Sequence, residues 1–333
     1  MRITNVFYLL VFFGVILLSS CSSCGDKKPA SNPPKQAMPD LPSFNADSAY
    51  SFVKTQCEFG PRVPNTPAHE ACGNYYVEKM SAWCDTVIVQ AGKVRAFDGT
   101  LLNFKNIISS FNPESGRRIL LFAHWDTRPW ADKDTVDADK PNLGADDGAS
   151  GVGVLMEVAR ILSQHRPGIG IDIIFFDAED WGKEGGGPGS EDTYALGTQY
   201  WTKNLHVNNY QAEFGILLDM VGAKGARFRR EGVSMSEAAF VVEKVWNMAN
   251  RLGYGSIFLY ENGGWVTDDH VYVNKINIPS IDIINSFPGE RSGFPPHWHT
   301  HADNMDIIDP TILKAVGQTL IGVVYSESGK LGS

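Results

Sequence analysis

Cysteine is scarce in this chain, whose five cysteines are Cys21, Cys24, Cys57, Cys72 and Cys84. The one pair with CxxC spacing, Cys21 and Cys24, has no second pair to complete a zinc knuckle. We therefore exclude a cysteine-built zinc site. An oxidising compartment would permit one disulfide among Cys57, Cys72 and Cys84, and the sequence does not choose the pair.

Basic residues are also few. The chain has 29 Lys and Arg residues against 38 Asp and Glu residues, which gives a formal net charge of −9 at pH 7. No basic stripe with interleaved aromatic residues occurs, and an acidic surface repels a phosphate backbone. We therefore expect no nucleic-acid partner. With 43% hydrophobic residues, the chain is predicted to be globular.

The apolar stretch from Val6 to Leu18 is too short to span a bilayer comfortably. It follows Arg2 and precedes the sequence LSSC at residues 18–21, and this order of basic, apolar and small residues predicts an export signal over residues 1–20. The LSSC sequence resembles a bacterial lipoprotein cleavage box, which implies a lipid anchor on Cys21. An ordinary signal peptide cut at small residues is the alternative.

Two further expectations follow from an export signal. Its removal takes away Arg2, so the mature net charge would be about −10, and the protein would be lipid-anchored in the envelope of a bacterium, on the periplasmic or surface side. Residues 21–42 are predicted to form a flexible tether and residues 43–333 a single catalytic domain. We expect a monomer.

Strand and helix patterns alternate through the domain. Helical spacing of apolar residues occurs at residues 47–57, 68–83, 236–251 and 310–327 and in the segment that follows residues 144–151. Strand patterns occur at residues 86–90, 103–111, 118–126, 171–176, 214–219, 256–260 and 278–284. This alternation predicts one α/β domain with a mostly parallel sheet.

The apolar run at residues 171–176, interrupted only by Asp172, is typical of a strand buried on both faces. Glu179 and Asp180 follow it closely. Because ligands bind beyond the carboxyl ends of strands in open α/β sheets, these two carboxylates are candidates for the chemical centre. A solvated acidic turn is the alternative. Asp219 ends a second apolar strand in the same way.

Other metal-binding residue types lie at helix starts or in clusters. Asp146 and Asp147 precede a helical segment, where they could be simple caps. Asp268, Asp269 and His270 form one later cluster, and His297, His299 and His301 form another. Carboxylates and an imidazole together with an open position are typical of a catalytic zinc site. The acidic loop at residues 131–139 is predicted to be a solvated or ion-associated surface, and we assign it no catalytic role.

The chain contains six distinctive short sequences, in this order: AHWD at 123–126, GADDGA at 144–149, FFDAED at 175–180, LDMVGA at 218–223, GGWVTDDH at 263–270 and FPPHWHT at 294–300. Together they resemble the zinc aminopeptidase superfamily and, within it, the glutaminyl-peptide cyclotransferases. The resemblance extends from about Phe59 to Val324 and implies a three-layer α/β/α fold with a central mixed, mostly parallel sheet.

The resemblance also implies roles for individual residues. The zinc ligands would be Asp147, Asp180 and His299, and Glu179 would be the general acid and base. Asp219 and Asp268 would form a hydrogen-bonded carboxylate pair, while Trp298 and Phe294 would bind the substrate. Asp180 is a departure, since most relatives have Glu there. The insertion at residues 182–191 replaces the region where animal cyclases have a tryptophan that lines the pocket. Trp181 or Trp201 is a guess for the residue that takes this role.

The implied reaction is the zinc-dependent cyclisation of N-terminal glutamine, with glutamate as a further possibility, in peptides and proteins, with release of ammonia and one zinc ion per chain. The alternative is a two-zinc aminopeptidase, for which His124 would complete the ligand set. Trp298 and Asp268 favour the cyclase, in which the pairing of Asp219 with Asp268 would keep Asp219 from a second metal. A non-catalytic binding protein is disfavoured because the ligand set is complete. We expect no function for His69, His165 or His206.

Overall fold

The computed structural model describes residues 41–185, 191–287 and 293–329. The predicted export signal and nearly all of the predicted tether lie outside these residues. Within them, no helix is long and apolar enough to cross a membrane.

A six-stranded sheet forms the centre of the fold. Its strands are β1 (Thr86–Arg95), β2 (Leu101–Phe111), β3 (Arg118–His124), β4 (Gly170–Phe176), β5 (Gly215–Asp219) and, after a separate two-stranded sheet of β6 (Phe228–Arg230) and β7 (Phe258–Asn262), β8 (Ser280–Ile284). The strand order is β1-β2-β4-β3-β5-β8. The pairs β1/β2 and β2/β4 are antiparallel, and the other three pairs are parallel. The prediction of a mixed, mostly parallel sheet is confirmed.

Seven α-helices are described around the sheet: α1 (Ala46–Glu58), α2 (Pro67–Trp83), α3 (Ala149–Gln164), α4 (Leu196–Lys203), α5 (Gly232–Arg251), α6 (Asp269–Asn274) and α7 (Pro310–Glu327). The sequence predicted most of these helices to within a few residues. It missed α6 and β6, which are too short to show a period. Two short 3-10 helices, Glu191–Thr193 and Met305–Ile307, complete the described elements.

Opposite faces of the sheet are covered by different helices. Phe122 and Phe176 pack in one apolar cluster with Trp201 of α4 and Val273 of α6. On the other face, a Cβ added to Gly151 of α3 would lie 3.0 Å from the Cβ of Ala123. Because neighbouring residues of a strand point to opposite faces, α3 and α4 lie on opposite sides of the sheet. The three-layer arrangement is therefore confirmed.

Strand β4 lies inside the sheet, and all seven of its residues are buried. Asp172, the one charged residue in it, accepts hydrogen bonds from Ser110 at 2.6 Å and Tyr210 at 2.6 Å. Arg118 also donates to this carboxylate through Nη2 at 2.9 Å. The buried charge is thus paired and hydrogen-bonded, as its burial requires.

Candidate active site

The carboxyl ends of three neighbouring strands bring the candidate residues to one edge of the sheet. His124 is the last residue of β3, Asp219 is the last residue of β5, and Glu179 and Asp180 follow β4. Since these strands are parallel, the segments that leave them share one crevice. All four side chains are buried.

Asp126 fixes the two carboxylates that follow β4. Its carboxylate accepts hydrogen bonds from the backbone N–H groups of Glu179 at 3.0 Å and Asp180 at 3.1 Å. The residue before them, Ala178, has a left-handed backbone with φ of 55°. This conformation is uncommon for a residue other than glycine, and it turns the chain from the strand into the site.

Asp147 is not a helix cap, so the capping alternative is wrong for it. The residue at the N-cap of α3 is Gly148, with φ of 97°, and no side chain caps this helix end. The carboxylate of Asp303 accepts hydrogen bonds from the backbone N–H groups of Asp146 at 2.7 Å and Asp147 at 3.1 Å. The carboxylate of Asp147 is thereby left to face the crevice.

Asp147, Asp180 and His299 form one group of candidate metal ligands. The Nε2 atom of His299 lies 3.3 Å from Asp180 Oδ1 and 3.8 Å from Asp147 Oδ2. One atom from each of these buried residues lies within 4.8 Å of the other two. The second carboxylate oxygen of Asp180 is buried and has no hydrogen-bond partner. Oxygen and imidazole ligands at this spacing fit a zinc ion.

A second group shares Asp147. The Nε2 atom of His124 lies 3.1 Å from Asp147 Oδ1 and 3.3 Å from Asp219 Oδ1, and this set also satisfies the 4.8 Å limit. The expectation that Asp219 is kept from a second metal stays a prediction, although its carboxylate belongs to this second group of candidate ligands. Asp219 turns toward His124 and not away from it.

The hydrogen-bonded pair of Asp219 and Asp268 stays a prediction, and each of the two carboxylates has a further partner. Asp219 interacts with His124, and Asp268 caps α6 by accepting a hydrogen bond from the backbone N–H of Asp269 at 2.5 Å. The two carboxyl groups nevertheless lie in one pocket and influence each other. Burial, followed by the charge of Asp219, raises the pKa of Asp268 to about 7.

The pKa values of three carboxyl groups of the site, those of Glu179, Asp219 and Asp268, are raised above their usual range. Burial raises the pKa of Asp219 to about 7. Burial also raises the pKa of Glu179 well above its usual value, against the opposing effect of His124, whose Nδ1 lies 4.0 Å from Glu179 Oε2. A carboxyl group with a raised pKa can release and recover a proton near neutral pH.

The crevice opens into a pocket with a cavity volume of about 310 Å³. Phe294 and Trp298 line it, as the sequence predicted, and their ring centroids are 4.5 Å apart. The ring of Trp298 stacks on that of His299 at 3.7 Å. The apolar wall of the pocket is therefore continuous with a candidate metal ligand. His299 itself has a left-handed backbone with φ of 55°.

The guess that Trp181 or Trp201 is the tryptophan that lines the pocket was wrong. Trp201 is fully buried in the core, and Trp181 packs against Trp130 and donates to Asp98, so neither lines the pocket. Trp265 lines it instead. The sequence places Trp265 three residues before Asp268, but exposed aromatic residues carry no periodic signal that would have identified it.

The acidic loop at residues 131–139 is largely exposed, as expected, and it also contacts the candidate site. The backbone N–H of Lys133 donates to the carbonyl oxygen of His299 at 3.2 Å, and its ammonium group lies 5.2 Å from the centroid of Trp298. Asp134 accepts from the backbone N–H of His301 at 2.9 Å. The loop thus contacts the segment that carries Trp298, His299 and His301 through one backbone hydrogen bond, one ammonium group and one carboxylate.

The remaining histidines have separate roles. His297 is bonded to Asp146 at 2.9 Å, and His301 lies on the surface side of the loop next to the carbonyl of Asp137. His69, for which no function was expected, is a buried residue of α2, with Nε2 2.9 Å from both oxygens of Asp177 and its ring stacked on Trp125 at 4.3 Å.

Arg128 is a residue that the sequence analysis missed. Its side chain is fully buried, and Nη1 lies 3.2 Å from the carbonyl oxygen and from Oδ1 of Asp180. Nε and Nη2 donate to the two oxygens of Asp132 at 2.8 and 3.0 Å. The position of Arg128 two residues after Asp126, just beyond a strand end, was the one available signal.

The fold and the ligand arrangement define a member of a known family of metal-dependent hydrolases and their relatives. The chain belongs to peptidase family M28, whose model matches residues 106–324.

Solved structures and a curated protein give finer comparisons. The chain is similar to the crystal structure of Bacteroides thetaiotaomicron glutaminyl cyclase bound to N-acetylhistamine, with 52% identity, a TM-score of 0.83 and coverage of 86% of this chain and 99% of that one. It is as similar to a Zn-dependent exopeptidase from Parabacteroides distasonis, with 53% identity, a TM-score of 0.83 and the same coverage. Bovine glutaminyl-peptide cyclotransferase is 26% identical over 243 residues, which span 66% of this chain and 64% of the bovine protein.

Proposed function

We propose that this chain is a glutaminyl-peptide cyclotransferase, which converts N-terminal glutamine of peptides and proteins to pyroglutamate and releases ammonia. One observation carries the proposal. Glu179 is adjacent in sequence to the ligand Asp180, and both line a pocket of about 310 Å³ that Trp298 and Phe294 wall off. A pocket of this size suits one glutamine side chain. The similarity to a solved glutaminyl cyclase over 99% of that chain supports the same function.

The reaction needs no nucleophile from the enzyme. The N-terminal amine of the substrate attacks the carbon of its own side-chain amide, so that a C–N bond forms in the ring and the bond to the amide nitrogen breaks. The two reacting groups are already joined by the substrate, and the pocket has to hold them in the reactive conformation. Trp298 supplies the flat apolar wall against which the side chain folds.

Zinc, held by Asp147, Asp180 and His299, would polarise the amide oxygen as a Lewis acid. Glu179 accepts a proton from the attacking amine and delivers it to the leaving nitrogen, which departs as ammonia. Its burial and raised pKa suit a group that is protonated in one half of the reaction and ionised in the other.

Asp219 and Asp268 assist this transfer from the same pocket. The pKa values of both carboxyl groups are raised to about 7, so near neutral pH the pair holds about one proton between its two members. One member can then donate a hydrogen bond while the other accepts one. We propose that they orient the amine and the departing nitrogen.

A two-zinc aminopeptidase is the second candidate. His124, Asp147 and Asp219 form the second group of ligands that such an enzyme needs, and a Zn-dependent exopeptidase is among the similar structures. The two candidates differ in zinc content and product. We propose one zinc per chain for the cyclase.

One experiment separates the candidates. Purified protein is analysed for zinc per chain and incubated with a Gln-initiated peptide and with leucine amide. One zinc, ammonia release and formation of a pyroglutamyl peptide support the cyclase. About two zincs with release of free leucine reverse the assignment.

We also propose that residues 1–20 are an export signal and that Cys21 carries a lipid anchor, with residues 21–42 as the tether to a monomeric catalytic domain in the cell envelope. Labelling of growing cells with a fatty-acid analogue tests this proposal. Label on the wild-type chain that disappears with Cys21→Ser supports it, and an unlabelled wild-type chain contradicts it. Sedimentation of the catalytic domain tests the monomer.

A further inference from the structure

Trp265 is an exposed aromatic residue at the edge of the pocket. It is 74% exposed, the highest value among the large hydrophobic residues identified as exposed in the described part of the chain. It nevertheless lines the same pocket as Glu179, Asp268 and Trp298. Its exposed ring is therefore accessible to the part of a bound substrate that extends out of the pocket.

The backbone around Trp265 is held firmly. The carboxylate of Glu231, which caps α5, accepts a hydrogen bond from the backbone N–H of Val266 at 3.0 Å. The N–H of Gly232 donates to the carbonyl of Gly264 at 2.8 Å. The backbone on either side of Trp265 is therefore held against the N-terminal end of α5. A rigid aromatic ring loses little entropy when it binds a partner.

Gly232 leaves room for the indole. A Cβ added at Gly232 would lie 2.6 Å from Cδ2 and 2.8 Å from Cε2 of Trp265, a distance that real Cβ atoms do not reach. The indole therefore lies directly against the backbone of α5, and the absence of a side chain at Gly232 permits this position. Most of the ring surface stays open to solvent.

We propose that Trp265 is a specificity-determining residue that binds the second residue of the substrate and favours an aromatic or large apolar side chain there. This inference rests on the proposed function. The N-terminal glutamine fills the pocket beside Trp298, and the next residue begins about 3.8 Å further along the chain. It must therefore leave the pocket at its edge, where Trp265 lies.

The chemistry of the edge agrees with an apolar partner. The base of the pocket carries the carboxylates Asp147, Glu179, Asp180, Asp219 and Asp268, whereas Trp265 and Val266 present apolar surface. A polar glutamine head and an apolar second side chain would each meet its own kind of surface. An aromatic side chain on Trp265 would gain a ring contact in addition to the area that it buries.

The test compares three substrates: glutamine amide, Gln-Gly amide and Gln-Phe amide. We expect the zinc-loaded wild type to prefer Gln-Phe amide to Gln-Gly amide, on the order of five- to tenfold and mainly through KM. Trp265→Ala should abolish this preference, through a rise in KM for Gln-Phe amide, and should retain the full zinc content. Phe240→Ala, which removes another exposed aromatic ring from α5, is the matched control and should keep the preference.

A second variant moves the ring without removing it. Gly232→Ala forces the indole away from α5 and should lower the preference in the same direction as Trp265→Ala. Equal use of both dipeptide amides by the wild type, or a preference that survives in Trp265→Ala, would overturn the inference. A change of sedimentation in Trp265→Ala would overturn it in favour of contact with a second copy. No turnover of any substrate would overturn the proposed function as well.

Discussion

Arg128 Nη1 lies 3.2 Å from Asp180 Oδ1, so the buried guanidinium and His299 bind the same carboxylate oxygen. This contact accounts for the short side chain at position 180, where glutamate would extend one methylene further. Arg128 also donates hydrogen bonds to the backbone carbonyl oxygen of Asp180 and to the carboxylate of Asp132. Oδ1 of Asp132 lies 3.4 Å from His299 Nδ1. The guanidinium thus positions two of the proposed zinc ligands.

Arg128→Lys should weaken zinc binding. Lysine keeps the charge but has no planar fork for Asp180 and Asp132 together. We expect an affinity loss of about 10- to 100-fold, the usual effect when a partner of a metal ligand is removed. Competition with a chelating dye measures it. Arg117→Lys, which changes an exposed arginine, is the control, and equal zinc affinities of the two variants would contradict the positioning role.

Glu179→Gln should abolish cyclisation and retain zinc. The amide has the same shape as the carboxylate but cannot accept the proton, so kcat should fall at least about 100-fold. Metal analysis of the same sample checks that the ligands are intact. Rates within a few-fold of the wild type, with full zinc, would show that another group moves the proton.

The metal-free protein should lose stability as pH rises from 5 to 8. Burial raises the pKa of Asp219 and Asp268 to about 7, and burial with the charge of Asp268 raises that of Asp269 to about 8. The unfolded chain releases these protons near pH 4, so the folded state holds more protons between pH 4 and 8 and its stability falls across that range. Urea midpoints in the presence of a chelator measure the fall.

Asp269→Asn is the matched variant for this measurement. Thr198 donates to Asp269 Oδ1 at 2.6 Å, which the amide oxygen can still accept, and the other carboxylate oxygen has no partner. The variant should show a smaller fall in midpoint between pH 5 and 8. A midpoint that rises with pH in both proteins would contradict the raised pKa values.

Asp172→Ala should destabilise the fold by about 3–5 kcal/mol, because Arg118 loses its buried partner and Tyr210 loses its acceptor. Equilibrium unfolding in urea measures the change. Glu213→Ala, which breaks the exposed pair with Arg117, should have little effect. Similar midpoints for the two variants would show that the Asp172 network adds little.

The sequence was sufficient for the family and the fold, for clear physical reasons. Buried strands such as β4 leave an almost uninterrupted apolar run, and Glu179, Asp180 and Asp219 each follow such a run. The ordered short sequences then predicted a ligand triad of Asp147, Asp180 and His299, whose side chains lie close together in the structure. Their roles in catalysis stay predictions.

The parts that the sequence could not provide are contacts between distant segments. Arg128 meets Asp180 across 52 positions, and Asp303 meets Asp146 across 157. Neither contact leaves a local pattern. The contact between the loop at residues 131–139 and the candidate site was missed for the same reason, since the backbone N–H of Lys133 donates to His299. Trp265 was missed because exposed residues obey no period.

Ala178, Met220 and His299 share a left-handed backbone, with φ of 55°, 47° and 55°. Glycine or asparagine would adopt this conformation at lower cost. Selection for heat resistance alone would therefore draw these positions toward glycine, and at position 299 that replacement deletes an imidazole that the proposed zinc site needs. Substitutions that are made to stabilise this protein should leave all three positions unchanged, since stability and the proposed chemistry favour different residues there.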